Sequence, residues 1–419
     1  MPTDETTARG DRTRRTVGQS EKLHDVLYDI RGPVNARAAE MEAAGHRVLK
    51  LNIGNPQTFG FEAPDSIVAD MVAALPVSQG YSDARGIVSA RRAVVQRYEL
   101  EDGFPDVDVD DVWLGNGVSE LIQICLQALL DDGDEVLVPS PDYPLWTAST
   151  KLAGGVARHY RCEESNGWQP DLEHLASQIG PRTRAIVVIN PNNPTGAVYS
   201  EQVLDGIAAL AREHDLVLMS DEIYDKVLYD DAVHVPLATR APDLLTLTFS
   251  GLSKAYRVCG YRAGWVVVSD PAGVADDYEH GINLLASMRL CPNVPAQHAI
   301  QVALGGHQSI NDLVLPGGRL RDQRDAAVTA LRAIPGVSVV EPRGALYVFP
   351  RLDPEVYPVR DDERLALDLL LAQKILLTQG TGFNWPDPDH LRIVTLPRAE
   401  ELTDAIGRLG TFLATYRQD

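Results

Sequence analysis

A lysine directly after a strand, with serines and an arginine close by, is equipped for covalent chemistry on a phosphorylated ligand. The run SGLSKAYRVCGYRAGW supplies this set: Lys254 follows the strand-like TLTF and is flanked by Ser250, Ser253 and Arg262. Burial and cationic neighbours favour the free amine of a lysine, the form that acts as nucleophile. Serine hydroxyls and a guanidinium together suit a phosphate dianion. Read alone, the run is better taken as a surface lysine beside a capping serine. Three further strand ends carry polar groups. Gly117, Val118 and Ser119 follow DVWLGN and open an apolar helix, where free backbone N–H groups and the helix dipole favour anions. NPNNPTG, Asn190–Gly196, makes a proline-stiffened turn that projects amide side chains, Asn193 among them. Asp221, Glu222 and Tyr224 follow VLMS. An acid there either caps the next helix or faces a cationic nitrogen, because burying it unpaired is costly.

These groups need a sheet to hold them along one edge. From Asp111 onward, apolar runs alternate with helical stretches of 10–15 residues: DVWLGNG, SELIQICLQALL, EVLVPSP, AIVVINP, EQVLDGIAALAREHD, LVLMSDEIY, TLTFSGLSK and AGWVVV. Continuous apolar strands predict an α/β fold with a mostly parallel sheet covered by helices on both faces, an α/β/α sandwich. Ligands in such folds bind beyond the carboxyl ends of the strands. After about Gly305 the pattern changes to a long helix, Gly318–Ile334, then short strands VSVVEP and ALYVFP, the helix DERLALDLLLAQ, the strand LRIVTL and a terminal helix. This predicts a smaller α+β domain. The segment from Glu21 to Asn52 reads as largely helical, ending in a short strand, and a helix is expected around Ala84–Asp102. The expected organisation is a polar tail over residues 1–20, a small domain from 21–60 with 306–419, and a large domain from 61–305.

Composition narrows the class. The chain has 419 residues, enough for two or three domains, and a formal net charge of −21. With no Lys/Arg-rich run, binding to nucleic acid or to an anionic membrane is disfavoured. The longest apolar runs are strand-length, far below the roughly 18 residues of a membrane helix. Cys125, Cys162, Cys259 and Cys291 are scattered with no CxxC pair, which predicts neither a zinc site nor a disulfide framework and suits a reducing, cytoplasmic setting. No metal site is expected. Cys259 reads as structural.

The order of these motifs resembles the fold-type-I aminotransferases that use pyridoxal 5′-phosphate. NPNNPTG, SDEIYDK, SGLSKAYRVCGYRAGW and LRIV match that family in order and spacing, over nearly the whole chain from about Lys22. KLHDVLYDIRGPV, KLNIGNP, LGNGVSELI, PDYPLW, LASMRLCPNVPAQHAIQ and GFNWPDPDHLRIVTLP are similar to the bacterial glutamate–pyruvate (alanine) aminotransferases. The resemblance implies fold type I and assigns roles. Lys254 is the Schiff-base and proton-transfer lysine. Asp221 keeps the pyridine nitrogen protonated, Asn193 and Tyr224 bond the ring's 3-oxygen, and Tyr143 stacks on the ring. Gly117, Val118, Ser119, Ser250, Ser253 and Arg262 hold the phosphate; Arg262 lies eight residues after Lys254, the family's spacing. Tyr81, in GYSDARG, reaches the phosphate of the partner subunit in a homodimer. Arg392, with Gly54 and Asn193, binds the substrate carboxylate. Tyr28 and Arg31, or Arg289, are candidates for the distal carboxylate of 2-oxoglutarate, and Trp385 is a candidate for the cleft wall. The implied reaction is ping-pong transamination of L-alanine with 2-oxoglutarate. Valine or another small aliphatic donor, a β-lyase or a racemase stay open on the same residue set. A ligand-sensing regulator would require a basic winged-helix domain before residue 20.

Overall fold

Aliphatic runs with no polar face can only be central strands. Every residue of Thr246–Gly251 and Ala263–Ser269 is buried, as is all but one of Thr183–Ile189. In the computed structural model, which describes residues 17–24, 26–28, 32–101 and 103–418, these strands sit inside an eight-stranded sheet. Its order across the sheet is Val112–Asn116, Ala263–Ser269, Thr246–Gly251, Val217–Asp221, Thr183–Ile189, Glu135–Ser140, Val156–Glu163 and Gln169–Pro170. The five strands from Thr246–Gly251 to Val156–Glu163 run parallel. Ala263–Ser269 is antiparallel to both of its neighbours. The chain therefore has the mostly parallel, doubly covered sheet that the apolar runs predict.

Alternation within each strand serves both faces. Val136, Val138 and Val187 pack with Leu121, Ile122, Cys125 and Leu126 of the helix Val118–Leu129. Leu137, Ile186 and Val188 face the other way, onto Leu204, Ile207 and Ala211 of the helix Glu201–Glu213. A separate core gathers Val34, Ala38 and Met41 with apolar residues of the helices Arg319–Arg332, Asp362–Gln373 and Ala399–Thr415. The strand Leu49–Lys50 pairs in parallel with Ile375–Leu376. Leu391–Val394, which carries Arg392, lies between Tyr347–Val348 and Thr378–Gln379 and is antiparallel to both.

Several local expectations shift. Glu21 to Asn52 is not largely helical: it holds a short 3₁₀ turn at Glu21–Leu23 and an α-helix at Pro33–Ala43. Pro33 sits at the first helical turn, where its missing N–H costs nothing, and it disfavours helix in the residue before it. The helix expected around Ala84–Asp102 begins only at Val88, because Gly86 adopts φ +105°. The late strands are two residues long at Val337–Ser338 and Tyr347–Val348. The helix Leu145–Leu152 and the strand Val156–Glu163 were not foreseen. Most of the expected polar tail lies outside the described residues; 17–20 are exposed.

Gly196 closes the NPNNPTG turn against the segment around Gly344. Its carbonyl accepts from the N–H groups of Arg343, at 2.9 Å, and Gly344, at 2.8 Å. It holds φ +72°, and a Cβ there would fall 2.8 Å from the Gly344 carbonyl and against Pro342. Gly196→Ala is expected to destabilise the protein by about 2 kcal/mol or more, through left-handed strain plus a backbone clash. The check is the denaturant midpoint, and an unchanged value would show that this seam yields.

Candidate active site

Strand direction decides which loops meet. The parallel strands end at Asp221, at Ile189 before the NPNNPTG turn, and at Gly251 before Lys254. Val112–Asn116 reaches the same edge because two antiparallel pairings restore its direction. Ala263–Ser269 starts at that edge, so Arg262, the residue before it, arrives there too. Together with Arg392, Tyr28, Gly54 and Tyr143, these loops enclose one cavity. It is also lined by Val118, Ser119, Asn193, Asp221, Tyr224, Ser253, Lys254 and Arg262.

At its centre the Lys254 Nζ donates to the Gly54 carbonyl at 2.9 Å. Asp221 is buried; its carboxylate accepts from Trp146 Nε1 at 3.1 Å and from the Ile223 N–H at 3.3 Å. Burial raises its pKa to about 6, against the opposing pull of these donors and of the Lys254 charge. A cation brought against this carboxylate would favour its ionised form. Tyr143 stands on the cavity wall with its hydroxyl 2.9 Å from that of Tyr28.

One end of the cavity is built for an anion. The first-turn amides of Val118–Leu129 have no partner within the helix and open beside Arg262. Arg262 is fixed by two carbonyls, Nη1 to Cys259 and Nη2 to Asn116, each at 3.0 Å. Glycine is needed on both sides of this cradle. A Cβ on Gly117, at φ +81°, would strike the Arg262 guanidinium, and one on Gly264 would lie 2.8 Å from the Val118 nitrogen.

The cavity is also lined by Arg392, which is buried. Its Nη1 donates to Asn193 Oδ1 at 3.1 Å and its Nη2 to the Asn52 carbonyl, while its Nε has no partner. The rings of Tyr347 and Phe383 lie 4.5 Å from the guanidinium carbon. Among the described residues, no carboxylate lies within ion-pair distance of Arg392 or Lys254.

Not every expected residue reaches the cavity. Gly117 shapes it from behind. Ser250 is buried with its hydroxyl directed to the Glu222 carbonyl at 3.4 Å, and it does not line the cavity. Tyr81 is 81% exposed and stands away from this chain's own cavity. Arg31 lies outside the described residues. Arg289 is turned away, toward the Leu114 carbonyl at 2.7 Å and Glu120 at 3.2 Å. Trp385 donates to Asp389 and packs edge-on against Trp168, so it belongs to the core rather than the cavity wall. Sequence reading missed Tyr347, Trp146 and Asn52. Trp146 lies three residues after Tyr143, but its helix was not foreseen. Tyr347 looks like any alternating aromatic in ALYVFP, and nothing local marks it.

A lysine and a buried acid at the carboxyl edge of a mostly parallel sheet, between a helix-terminus anion cradle and a buried arginine, define an enzyme that handles amines and carboxylates. The chain belongs to the family described as aminotransferase class I and II, which it matches over residues 46–409. It is a transaminase of the fold-type-I architecture, similar to bacterial alanine aminotransferases. It is 69% identical over 405 residues to the alanine aminotransferase of Mycobacterium tuberculosis, covering 97% of this chain and 94% of that one. It is 56% identical over 402 residues to the glutamate-pyruvate aminotransferase AlaA of Escherichia coli, covering 96% and 99%. The crystal structure of an aminotransferase from Escherichia coli, 56% identical, superposes with a TM-score of 0.95 over 97% of this chain and 100% of that one.

The raised pKa of Asp221 has a measurable consequence in the protein without bound ligand. Its folded-state pKa lies above the unfolded value, so its favourable contribution is full below the unfolded pKa and is lost as pH rises through about 6. Asp221→Asn escapes that loss. The thermal midpoint of Asp221→Asn relative to wild type is expected to rise between about pH 4 and about pH 7. A constant difference across that range would contradict the burial argument.

Proposed function

We propose that the protein binds pyridoxal 5′-phosphate in this cavity and transfers the amino group of L-alanine to 2-oxoglutarate, giving pyruvate and L-glutamate. The observation that carries this is the cavity itself: Lys254 and Arg392 both open on it and, among the described residues, neither is paired to a carboxylate. The residues present fit the cofactor. The glycine-lined cradle at Arg262 suits its phosphate, buried Asp221 suits a ring N–H⁺, and Tyr143 offers an aromatic face. When bound, the cofactor supplies a carbonyl that condenses with amines and a ring that takes up electron density.

The chain's own groups do the rest. Lys254 would hold the cofactor covalently, and its amine would carry the proton leaving the substrate α-carbon. Asp221 keeps the ring nitrogen protonated, and Trp146 orients the carboxylate that does so. Asn193 and Tyr224 donate to the ring's 3-oxygen. Val118, Ser119, Ser253 and Arg262 bind the phosphate; Gly117 permits the approach of Arg262, and Ser250 supports the loop from the buried side. Arg392 clamps the α-carboxylate with help from Asn193 and the backbone of Gly54. Tyr28 and Arg31 serve the distal carboxylate of glutamate and 2-oxoglutarate. The names of the Mycobacterium tuberculosis and Escherichia coli relatives support this substrate pair.

A homodimer follows from the same reading. Tyr81 reaches the phosphate of the partner's cofactor. The loop that bears it is tied to the helix Asp276–Met288 by Arg85, whose Nε lies 3.3 Å from Asn283 Oδ1. Leu284, Met288 and Leu290 are exposed in this region and would be covered by a second copy. The division into a large domain over 61–305 and a small domain from 21–60 with 306–419 is proposed on the pairing of Leu49–Lys50 with Ile375–Leu376. Four free cysteines support a reducing, cytoplasmic setting. Among the described residues no helix is long and apolar enough to cross a membrane, and no group of side chains could hold a metal ion.

Visible absorbance of the purified protein tests the whole reading. A cofactor band should disappear with L-alanine as pyruvate forms, and return with 2-oxoglutarate. A band that persists with alanine but is lost with another amino acid would move the donor. Absence of a band after adding pyridoxal phosphate would end the proposal. Lys254→Ala is expected to fold yet lose turnover by at least about a thousandfold. Arg31→Ala should raise the KM for glutamate and 2-oxoglutarate by about tenfold or more while changing that for alanine far less. Equal losses on all three would remove Arg31 as the distal clamp.

A further inference from the structure

We propose that Tyr347 is a positioning residue for Tyr224, donating its hydroxyl proton to the Tyr224 oxygen so that the Tyr224 proton is aimed into the cavity. This inference rests on the cofactor reading above and adds a residue to it. Tyr347 is buried, and its hydroxyl lies 2.7 Å from that of Tyr224, with the two rings edge to face at 5.8 Å. A phenol carries one proton and can accept another. In a pair at this distance one hydroxyl donates and the other accepts.

The proton that Tyr224 must supply to the cavity chooses the direction. Burial alone pushes the Tyr347 phenol up, but the nearby Lys254 and Arg392 charges, together with the hydrogen bond to Tyr224, reverse this and leave it below the ordinary phenol value. Burial holds Tyr224 well above that value, and its neighbour Tyr347 reinforces the rise. On the cofactor reading Tyr224 gives its one proton to the ring's 3-oxygen, so within this pair Tyr347 donates and Tyr224 accepts. Tyr224 is then left with its single proton for an oxygen in the cavity. A donor that is itself a hydrogen-bond acceptor is polarised and donates more strongly.

The approach is enforced sterically. A Cβ on Gly54 would lie 2.5 Å from the Tyr347 hydroxyl oxygen, so only glycine at 54 leaves room for that hydroxyl. The same Tyr347 ring lies 4.5 Å from the guanidinium carbon of Arg392. One side chain thus has two separable parts. The hydroxyl serves Tyr224, and the ring face supports the carboxylate clamp.

The test is Tyr347→Phe in the full-length holoenzyme, which keeps the ring and removes the donor. Weaker donation from Tyr224 leaves more negative charge on the cofactor's ring oxygen. That oxygen then holds the neighbouring proton on the Lys254 nitrogen more tightly. The pH midpoint of the visible band is expected to rise by about half a unit, the scale of one modest hydrogen bond. The KM for alanine should stay within about twofold, because the ring beneath Arg392 remains. In a Tyr224→Phe background the further change Tyr347→Phe should leave the midpoint where it is. Gly54→Ala, which crowds the hydroxyl from the other side, should also raise the midpoint, and it serves if Tyr347→Phe fails to fold. A wild-type midpoint in Tyr347→Phe, or the same shift with and without Tyr224, would overturn the proposal. A wild-type protein that shows no cofactor band would defeat the underlying reading instead.

Discussion

Among the described residues, Arg392 is a buried cation with one nitrogen unpartnered and no carboxylate beside it. Taking such a charge from water costs several kcal/mol, and its attraction to carbonyls and rings offsets only part of that. Groups from three distant parts of the chain meet this cost. The Asn52 carbonyl, the Asn193 amide and two aromatic faces surround the guanidinium. What is left over is attraction for an anion entering the cavity. A nearby Asp or Glu would satisfy the arginine and remove that attraction.

The same logic runs through the other groups of the cavity. Asp221 is held by only two donors and is destabilised as an anion, so it favours a cationic partner. Arg262 spends two of its nitrogens on backbone carbonyls, which fix its direction without neutralising it. Charges are oriented by neutral dipoles at three points and paired by carboxylates at none. Such an arrangement costs no reorganisation when a ligand arrives.

The hydroxyl pair of Tyr224 and Tyr347 links these regions. Tyr224 lies beyond the strand Val217–Asp221, whereas Tyr347 belongs to the short strand paired with the one that carries Arg392. A shift of the C-terminal strands relative to the large sheet would therefore move Arg392 and the hydroxyl partner of Tyr224 together. Gly196 and Gly344, packed at the seam, restrict that motion through backbone contacts.

The amino-acid sequence by itself determined six of the eight strands of the central sheet, because strands buried on both faces must be continuous apolar runs and few other segments qualify. It also marked Lys254, Asp221, Asn193, Arg262 and Arg392, whose motifs are local and whose order along the chain is distinctive. What it could not decide was direction and distance. That Ala263–Ser269 runs antiparallel, and so delivers Arg262 to the edge where the parallel strands end, is a property of pairing between distant segments. Trp146 and Tyr347 have ordinary aromatic contexts in sequence. Only packing brings one within 3.1 Å of Asp221 and the other within 2.7 Å of Tyr224. Arg289 shows the converse. Its sequence suggests a carboxylate binder, but the tertiary structure turns it to a backbone carbonyl and Glu120, since a cation takes the nearest acceptors that the fold supplies.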